Sequence, residues 1–306
     1  MKIYKVKQVV KNLYVRFKFY KAGAGHQEGN QLFFFVQEGY PQSHPGLVDR
    51  FKAIVGLYYI AKCNGFDFQL VYDTPFLLDK YLQPNKYNWN QEYAVSRNWK
   101  DVKLIEYGGF TSIPQLSRKI PQYHCYYYEG LNVLRMAQIE DWKKVWGELY
   151  RELFKPSNYL QELLDRYVPK KEYVAVHVRF VNALEKFEEG YESNLTEAEK
   201  KQLIDVSLFK IEQIRQKEQK EVYVFSDSAR FLSEVQKKGY RTLPVENIGH
   251  ISFQNDSSVH DKTFIDFYAM SMSDKVYSIQ GEYTYSSVFS QFAAIIGEKE
   301  YEIVKI

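Results

Sequence analysis

The sequence is poor in cysteine. Only Cys63 and Cys125 occur among 306 residues, too few for a disulfide scaffold or for a zinc site built from thiolates. This usage fits a reducing cytoplasm. Long apolar runs are also missing. No stretch approaches the roughly 18 residues that a membrane-spanning helix needs. The first residues are basic but lack a continuous apolar core and a small-residue cleavage site, so no signal peptide is expected. Neither sign of charge dominates. Lys and Arg total 41 against 38 Asp and Glu, a net of +3, which argues against a dedicated nucleic-acid binder. The six histidines are scattered. No His-x3-His or Asp-x-Asp pair occurs, and His260 and Asp261 are adjacent rather than facing, so no metal site is expected. Internal repeats and low-complexity tracts are absent.

Aromatic residues are abundant, with 27 Tyr and 21 Phe. Most fill cores, and the same side chains serve sugar-handling surfaces. An apolar fraction of 45% is ample for real cores and excludes general disorder. At roughly 150 residues per domain, the length predicts about two domains or one large one.

The first twenty residues stand apart. Val6, Val9, Val10, Leu13, Tyr14 and Phe17 recur at helical spacing, and Lys5, Lys7, Lys11 and Lys18 lie on the other side. That pattern is a basic amphipathic helix. It is read either as a membrane-surface helix over residues 1–21 or as an ordinary helix packed on the first domain. Leu32 to Val36 reads as a buried strand. Leu47, Phe51, Ile54, Val55, Tyr58 and Tyr59 predict a helix to Ala61, closed by Asn64-Gly65, and Phe68 to Tyr72 is the next strand. The chain thus opens as a βαβ unit.

The stretch from Pro84 to Pro121 is rich in Asn, Tyr, Gly and Pro and shows no clear period. Asp141 to Phe154 predicts a helix, and Ser157 caps another to Tyr167. Pro169 to Lys171 reads as a hinge, which gives domains 1–168 and 169–306. Beyond it, strands are expected at Tyr173–Val178, Val222–Phe225 and Lys275–Ile279. Helices are expected from the Thr196/Glu199 capping box to Gln219, and over Ala229–Lys238, Asp261–Ser273 and Thr284–Ile296. This alternation means an α/β fold with a parallel sheet covered by helices on both faces.

Ligands of such sheets bind beyond the carboxyl ends of strands. Three ends carry polar clusters: His177-Val178-Arg179 with Asn182, Ser226-Asp227-Ser228, and Gln280-Gly281-Glu282 followed by Tyr285-Ser286-Ser287. Arg179 has a fork of donors suited to phosphate. Ser286 and Ser287 are expected in the first turn of a helix, where free N–H groups favour an anion. Asp227 can accept hydrogen bonds from a ribose or a base edge. Together they describe a nucleoside diphosphate site. Taken singly, His177 also reads as a core histidine, Arg179 as half of an ion pair, Ser286 as a cap and Asp227 as an N-cap. A fourth group, Gly46-Leu47-Val48-Asp49-Arg50, opens the first helix. Its Gly permits close backbone approach to a ligand, and Asp49 equally complements the helix dipole.

These residues resemble a family. Gly46 to Arg50 before an apolar helix resembles the Gly-rich loop of the GDP-fucose-dependent fucosyltransferase superfamily, which includes alpha-1,2-, alpha-1,6- and protein O-fucosyltransferases. His177-Val178-Arg179 resembles their His-x-Arg strand end, and Phe225 to Ser228 their second nucleotide-contacting strand end. Thr263 to Ser271 and Tyr285 to Ala294 resemble their closing helix, strand and Ser-x-Phe-Ser motif. The likeness spans about residues 46–80 and 172–297, in order. It departs where Phe180, Val181 and Asn182 follow Arg179, where Val48 stands for a second Gly, and where Gln291-Phe292 stands for a Trp pair.

The resemblance implies two Rossmann-like domains facing a cleft, the GT-B architecture. It implies GDP-fucose held mostly by the C-terminal domain, and inversion at the anomeric carbon without a metal or further cofactor. Arg179 would hold the diphosphate with Ser286 and Ser287, and His177 and Asp227 would contact the nucleoside. Asp266 would organise the nucleotide loop, and Gly46, Asp49 and Arg50 would border the cleft. The transfer needs a general base. Glu185, with Glu188 and Glu189, and His44 are the candidates, against the reading of 185–192 as a solvated charged loop. The expected partners are a nucleotide-sugar donor and a glycan acceptor, in polysaccharide biosynthesis in the cytoplasm or at the inner face of its membrane. Two alternatives stand beside this: another GDP-sugar used on a lipid-linked acceptor, and a degenerate sugar- or nucleotide-binding module.

Overall fold

The computed structural model describes residues 2–23, 29–37, 46–105, 113–126, 133–136, 138–185, 195–244 and 257–306. It divides into two units, Met1–Lys155 and Pro156–Ile306. In chain order the first carries α1 (Lys2–Phe19), β1 (Gln31–Val36), α2 (Leu47–Asn64), β2 (Asp67–Tyr72), the short α3 (Leu78–Tyr81) and β3 (Leu82–Pro84). Then come β4 (Val102–Ile105), β5 (Gln122–Cys125), the short α4 (Val133–Met136), α5 (Trp142–Leu153) and β6 (Phe154–Pro156), which pairs with β3. The main sheet runs β2-β1-β5-β4 with every neighbour parallel. All six residues of β1 are buried, as befits a strand with neighbours on both edges and cover on its faces. Gly65 closes α2 in the left-handed region at φ 66°, its N–H reaching the carbonyls of Ala61 and Lys62, a conformation that Gly adopts without a Cβ penalty.

The second unit carries α6 (Asn158–Tyr167), β7 (Tyr173–Val178), α7 (Glu197–Glu218), β8 (Glu221–Ser226), α8 (Ala229–Lys237), α9 (Ser257–Met272), β9 (Lys275–Gln280), α10 (Phe289–Gly297) and β10 (Glu300–Lys305). Its sheet runs β10-β9-β7-β8, again all parallel. The Thr196/Glu199 capping box forms, and Ser157 Oγ accepts from Leu160 N at 3.1 Å to start α6. Both units are therefore parallel α/β layers. No helix among the described residues is long and apolar enough to cross a membrane.

Three boundaries differ from the sequence reading. The units part before α6, not at Pro169 to Lys171, because α6 packs on α9 of the second unit, where Tyr159 Oη donates to Asp261 Oδ2 at 2.7 Å. Helix α9 starts at Ser257 rather than Asp261. Helix α10 starts at Phe289 rather than Thr284. There the Thr284 hydroxyl accepts from Gly281 N at 2.5 Å, closing a turn that competes with helix. The C-terminal end of α10 lies tight against α9. A Cβ at Gly297 would sit 2.0 Å from the Ser271 carbonyl oxygen.

Candidate active site

The site is built around the end of β7. This strand lies between β8 and β9, and the register sets Val178 beside Ser226 and Ile279. The segments leaving the three strands therefore begin at one level, as the fold rule for parallel sheets requires.

The first turn after β7 is held by Asp227. Its Oδ1 accepts from Phe180 N at 2.8 Å and its Oδ2 from Val181 N at 2.9 Å. The Arg179 Nε lies 3.6 Å from the same Oδ2. Val181 has φ 53°, a conformation a β-branched residue adopts only when its surroundings enforce it. Burial pushes the Asp227 carboxyl above its ordinary pKa, against the pull of the two amides and Arg179. Both oxygens are thus engaged by the protein's own loop. The N-cap of α8 is Ser228, whose Oγ accepts from Phe231 N at 3.1 Å, not Asp227.

Arg179 is partly exposed. Its guanidinium carbon stands 5.1 Å from the Tyr285 ring centroid, and its carbonyl accepts from Tyr285 N at 2.7 Å. The cation is thus fixed between a carboxylate and an aromatic face.

His177 sits behind it, 6% exposed, with its ring 5.9 Å from that of Phe289. Burial, then the charges of Arg179 and Lys262, lower its pKa to about 3, so the imidazole is neutral. Its Nδ1 has no hydrogen-bond partner among the described residues. On α9, Lys262 and Asp266 form a buried ion pair at i and i+4. Burial raises the Asp266 pKa, opposed by Lys262. Asp266 Oδ1 is likewise buried and unpartnered among the described residues. The second unit therefore holds a partly exposed cation at the end of β7 and, among the described residues, a buried ring nitrogen and a buried carboxylate oxygen without a hydrogen-bond partner.

The remaining candidates are placed as follows. Asn182 is buried in the turn after Arg179. Ser226 Oγ accepts from Ser228 N at 3.2 Å. Ser286 and Ser287 lie ahead of α10, not within its first turn. Ser286 Oγ donates to Gln280 Oε1 at 3.3 Å, and Ser287 Oγ accepts from Phe289 N at 3.2 Å. Glu185 Oε1 accepts from Arg230 N at 3.3 Å, in the first turn of α8. In the first unit Gly46 precedes α2, and its carbonyl accepts from Arg50 N at 3.3 Å. A Cβ there would meet nothing within 4 Å, so tight packing is not what this Gly serves. Asp49 pairs with Lys52 at 3.0 Å. Arg50 is buried, its Nη1 3.4 Å from the Thr74 carbonyl. His44, Glu188 and Glu189 lie outside the described residues.

Lys262 was not singled out from the sequence as a site residue, though it was detectable, since a Lys four residues before an Asp on a helix is a standard pair. Tyr285 was named in the third strand-end cluster but given no role. Among the described residues no group of three or more His, Cys, Asp or Glu could hold a metal ion.

No protein-family model matches the chain, and no curated protein matches its sequence. Solved structures do match its fold. A mutant of Arabidopsis thaliana FUT1 in complex with GDP aligns over 96% of this chain and 74% of its own, with 13% identity and a TM-score of 0.58. The alpha-1,6-fucosyltransferase NodZ soaked with GDP-fucose aligns over 88% of this chain and 93% of its own, at 11% identity and a TM-score of 0.54. The fucosyltransferase NodZ from Bradyrhizobium aligns over 87% and 93%, at 10% identity and a TM-score of 0.52. The chain has the fold of these fucosyltransferases.

Proposed function

We propose that the chain is a glycosyltransferase that moves fucose from GDP-fucose to a hydroxyl of a glycan. The observation that carries this is the cation of Arg179 at the end of β7, together with two buried polar atoms of the same unit, His177 Nδ1 and Asp266 Oδ1, that have no hydrogen-bond partner among the described residues. A buried polar atom without a partner is costly and points to a ligand. The chemistry selects a nucleotide. Arg179 faces the charge of a diphosphate. The open carboxylate oxygen of Asp266 accepts from a base edge that carries adjacent N–H donors, as guanine does at N1 and N2. The neutral His177 completes the polar edge. The fold likeness to proteins solved with GDP and GDP-fucose supports the same reading.

In the transfer, the acceptor oxygen attacks the anomeric carbon from the face opposite the diphosphate. The bond from that carbon to the β-phosphate oxygen breaks, and its electron pair leaves with GDP. Inversion follows from the single displacement. Arg179 stabilises the charge on the departing diphosphate, and no metal is assigned a part. Asp227 acts one step back, by fixing the turn that presents Arg179. The acceptor proton needs a base. Glu185 Oε1 is engaged at the start of α8, and Glu188, Glu189 and His44 remain as candidates.

Calorimetric titration with GDP, GMP, UDP and CDP tests the reading. GDP is expected to bind more tightly than the other three, and Arg179→Ala to abolish that binding and the transfer while leaving the thermal melt unchanged. Equal affinity for UDP, or undiminished transfer by the variant, would overturn it. GDP binding with no turnover of GDP-fucose by the unaltered chain would move the assignment to a binding module.

A further inference from the structure

Helix α1 turns its apolar side away from the protein. Val15 is buried and Phe19 packs partly against the same cluster, with Phe33, Phe35 and Tyr126 of the first unit. These two residues fix which side of the helix faces the sheet. At about 100° per residue, Val9, Val10, Leu13, Tyr14 and Phe17 fall within about 140° of the circumference on the opposite side. All five are exposed, and Phe17 is 80% exposed. The amphipathic pattern of the sequence is therefore real, but its apolar stripe is not the face that packs.

Charge identifies what the stripe fits. Residues 1–21 carry seven Lys and Arg and no Asp or Glu. Arg16 and Lys18 border the stripe on its two sides. Lys18 reaches the Tyr14 hydroxyl at 2.5 Å, and the Arg16 guanidinium lies 5.9 Å from the Trp99 ring centroid. Lys7 and Lys11 add two further cations to the sequence of the same helix. An outward apolar stripe flanked by a cation on each side, on a segment with no acidic residue, is the form of a helix lying in a lipid interface. A second copy of the chain would bring the same seven cations against themselves, and a neutral apolar partner would leave them unmatched.

We propose that α1 docks the protein on an anionic lipid surface, with Val9, Val10, Leu13, Tyr14 and Phe17 in the acyl boundary and the flanking cations on the headgroups. The inference is independent of the nucleotide site.

Co-sedimentation of the full chain with phosphatidylcholine vesicles, with and without about 30% phosphatidylglycerol, tests it. The protein is expected to pellet with the anionic vesicles only, and less so as salt is raised. The pair Leu13→Asp and Phe17→Asp, and separately the pair Lys7→Glu and Lys11→Glu, should each lower the partition coefficient at least tenfold. The thermal melt should stay unchanged, since Leu13 and Phe17 are exposed. Equal pelleting with neutral vesicles, or full binding by both pairs, would overturn the proposal. So would a concentration-dependent dimer in sedimentation velocity that Leu13→Asp with Phe17→Asp dissolves, because that assigns the stripe to a second copy.

Discussion

Asp227→Asn separates a loop-building carboxylate from a ligand-binding one. The wild-type oxygens hold Phe180 N at 2.8 Å and Val181 N at 2.9 Å. Hydrogen bonds to a charged group contribute about 1.5–3 kcal/mol each, so losing both sets an upper bound of about 3–6 kcal/mol. Two effects lower that figure. The carboxyl is held above its ordinary pKa by burial, so its removal returns desolvation energy. Val181, freed from φ 53°, recovers about 1–2 kcal/mol of backbone strain. Asn keeps one acceptor oxygen but turns an NH2 group toward the second amide. The expected loss is about 2 kcal/mol, which leaves a folded protein. The decisive readout is the joint one. Urea denaturation and a GDP titration on the same preparation should both worsen, with GDP affinity down about tenfold, a change of about 1.4 kcal/mol, because Arg179 loses the partner that orients it. Lower affinity at unchanged stability would mean that Asp227 touches the nucleotide itself. Unchanged stability and unchanged affinity would refute the clamp altogether.

Two further perturbations bear on the same cluster. His177 has a folded pKa of about 3 against an ordinary 6.5. The unfolded chain therefore binds the proton first, and the stability this group contributes is complete above pH 6.5 and lost as pH falls toward 3. By pH 5 the loss is about 2 kcal/mol. His177→Gln should remove that share of the difference in urea stability between pH 7 and pH 5, and an unchanged pH profile counts against a buried neutral imidazole. Lys262→Met leaves the Asp266 charge buried and unpaired, at a cost of about 3–5 kcal/mol. Adding Asp266→Leu should restore most of that stability without restoring GDP binding. Full GDP affinity in the double variant would remove Asp266 from the site.

The second unit was the more legible half because each of its signals is local. A capping box, a Gly after a helix and an apolar strand are read within a few residues, and β7, α7, β8 and β9 lie close to where the pattern puts them. The first unit hides β5, which carries Gln122 and His124 at the centre of a sheet. Their polarity is satisfied by each other, His124 Nε2 lying 3.0 Å from Gln122 Oε1, and by residues distant in sequence. Gln122 Nε2 donates to the Ala94 carbonyl at 2.8 Å, and His124 Nδ1 meets the Tyr20 hydroxyl at 2.7 Å. Such a strand has no apolar signature. Strand β10 was hidden for the opposite reason. It is a sheet edge with Glu300 and Glu302 directed to Lys275, so its sequence reads as surface.

The site shows the same division between local and non-local information. Residue type and strand-end position singled out Arg179, His177 and Asp227 as candidates, and the family resemblance added Asp266 inside a helix, but their contacts depend on partners that composition does not reveal. Asp227 was expected against a nucleoside, and each of its oxygens also accepts from a backbone amide, of Phe180 and of Val181. Helix α9 could have packed with Phe264, Phe267 and Met270 alone, yet it buries Lys262 and Asp266 among them. Each buried polar atom without a partner costs about 1–3 kcal/mol. Among the described residues His177 Nδ1 and Asp266 Oδ1 have no such partner. A ligand that satisfies both recovers that loss at the moment it binds. On the proposed nucleotide reading, binding and stability of the second unit are one coupled equilibrium, in which a base edge that satisfies only one of the two atoms recovers only part of the energy.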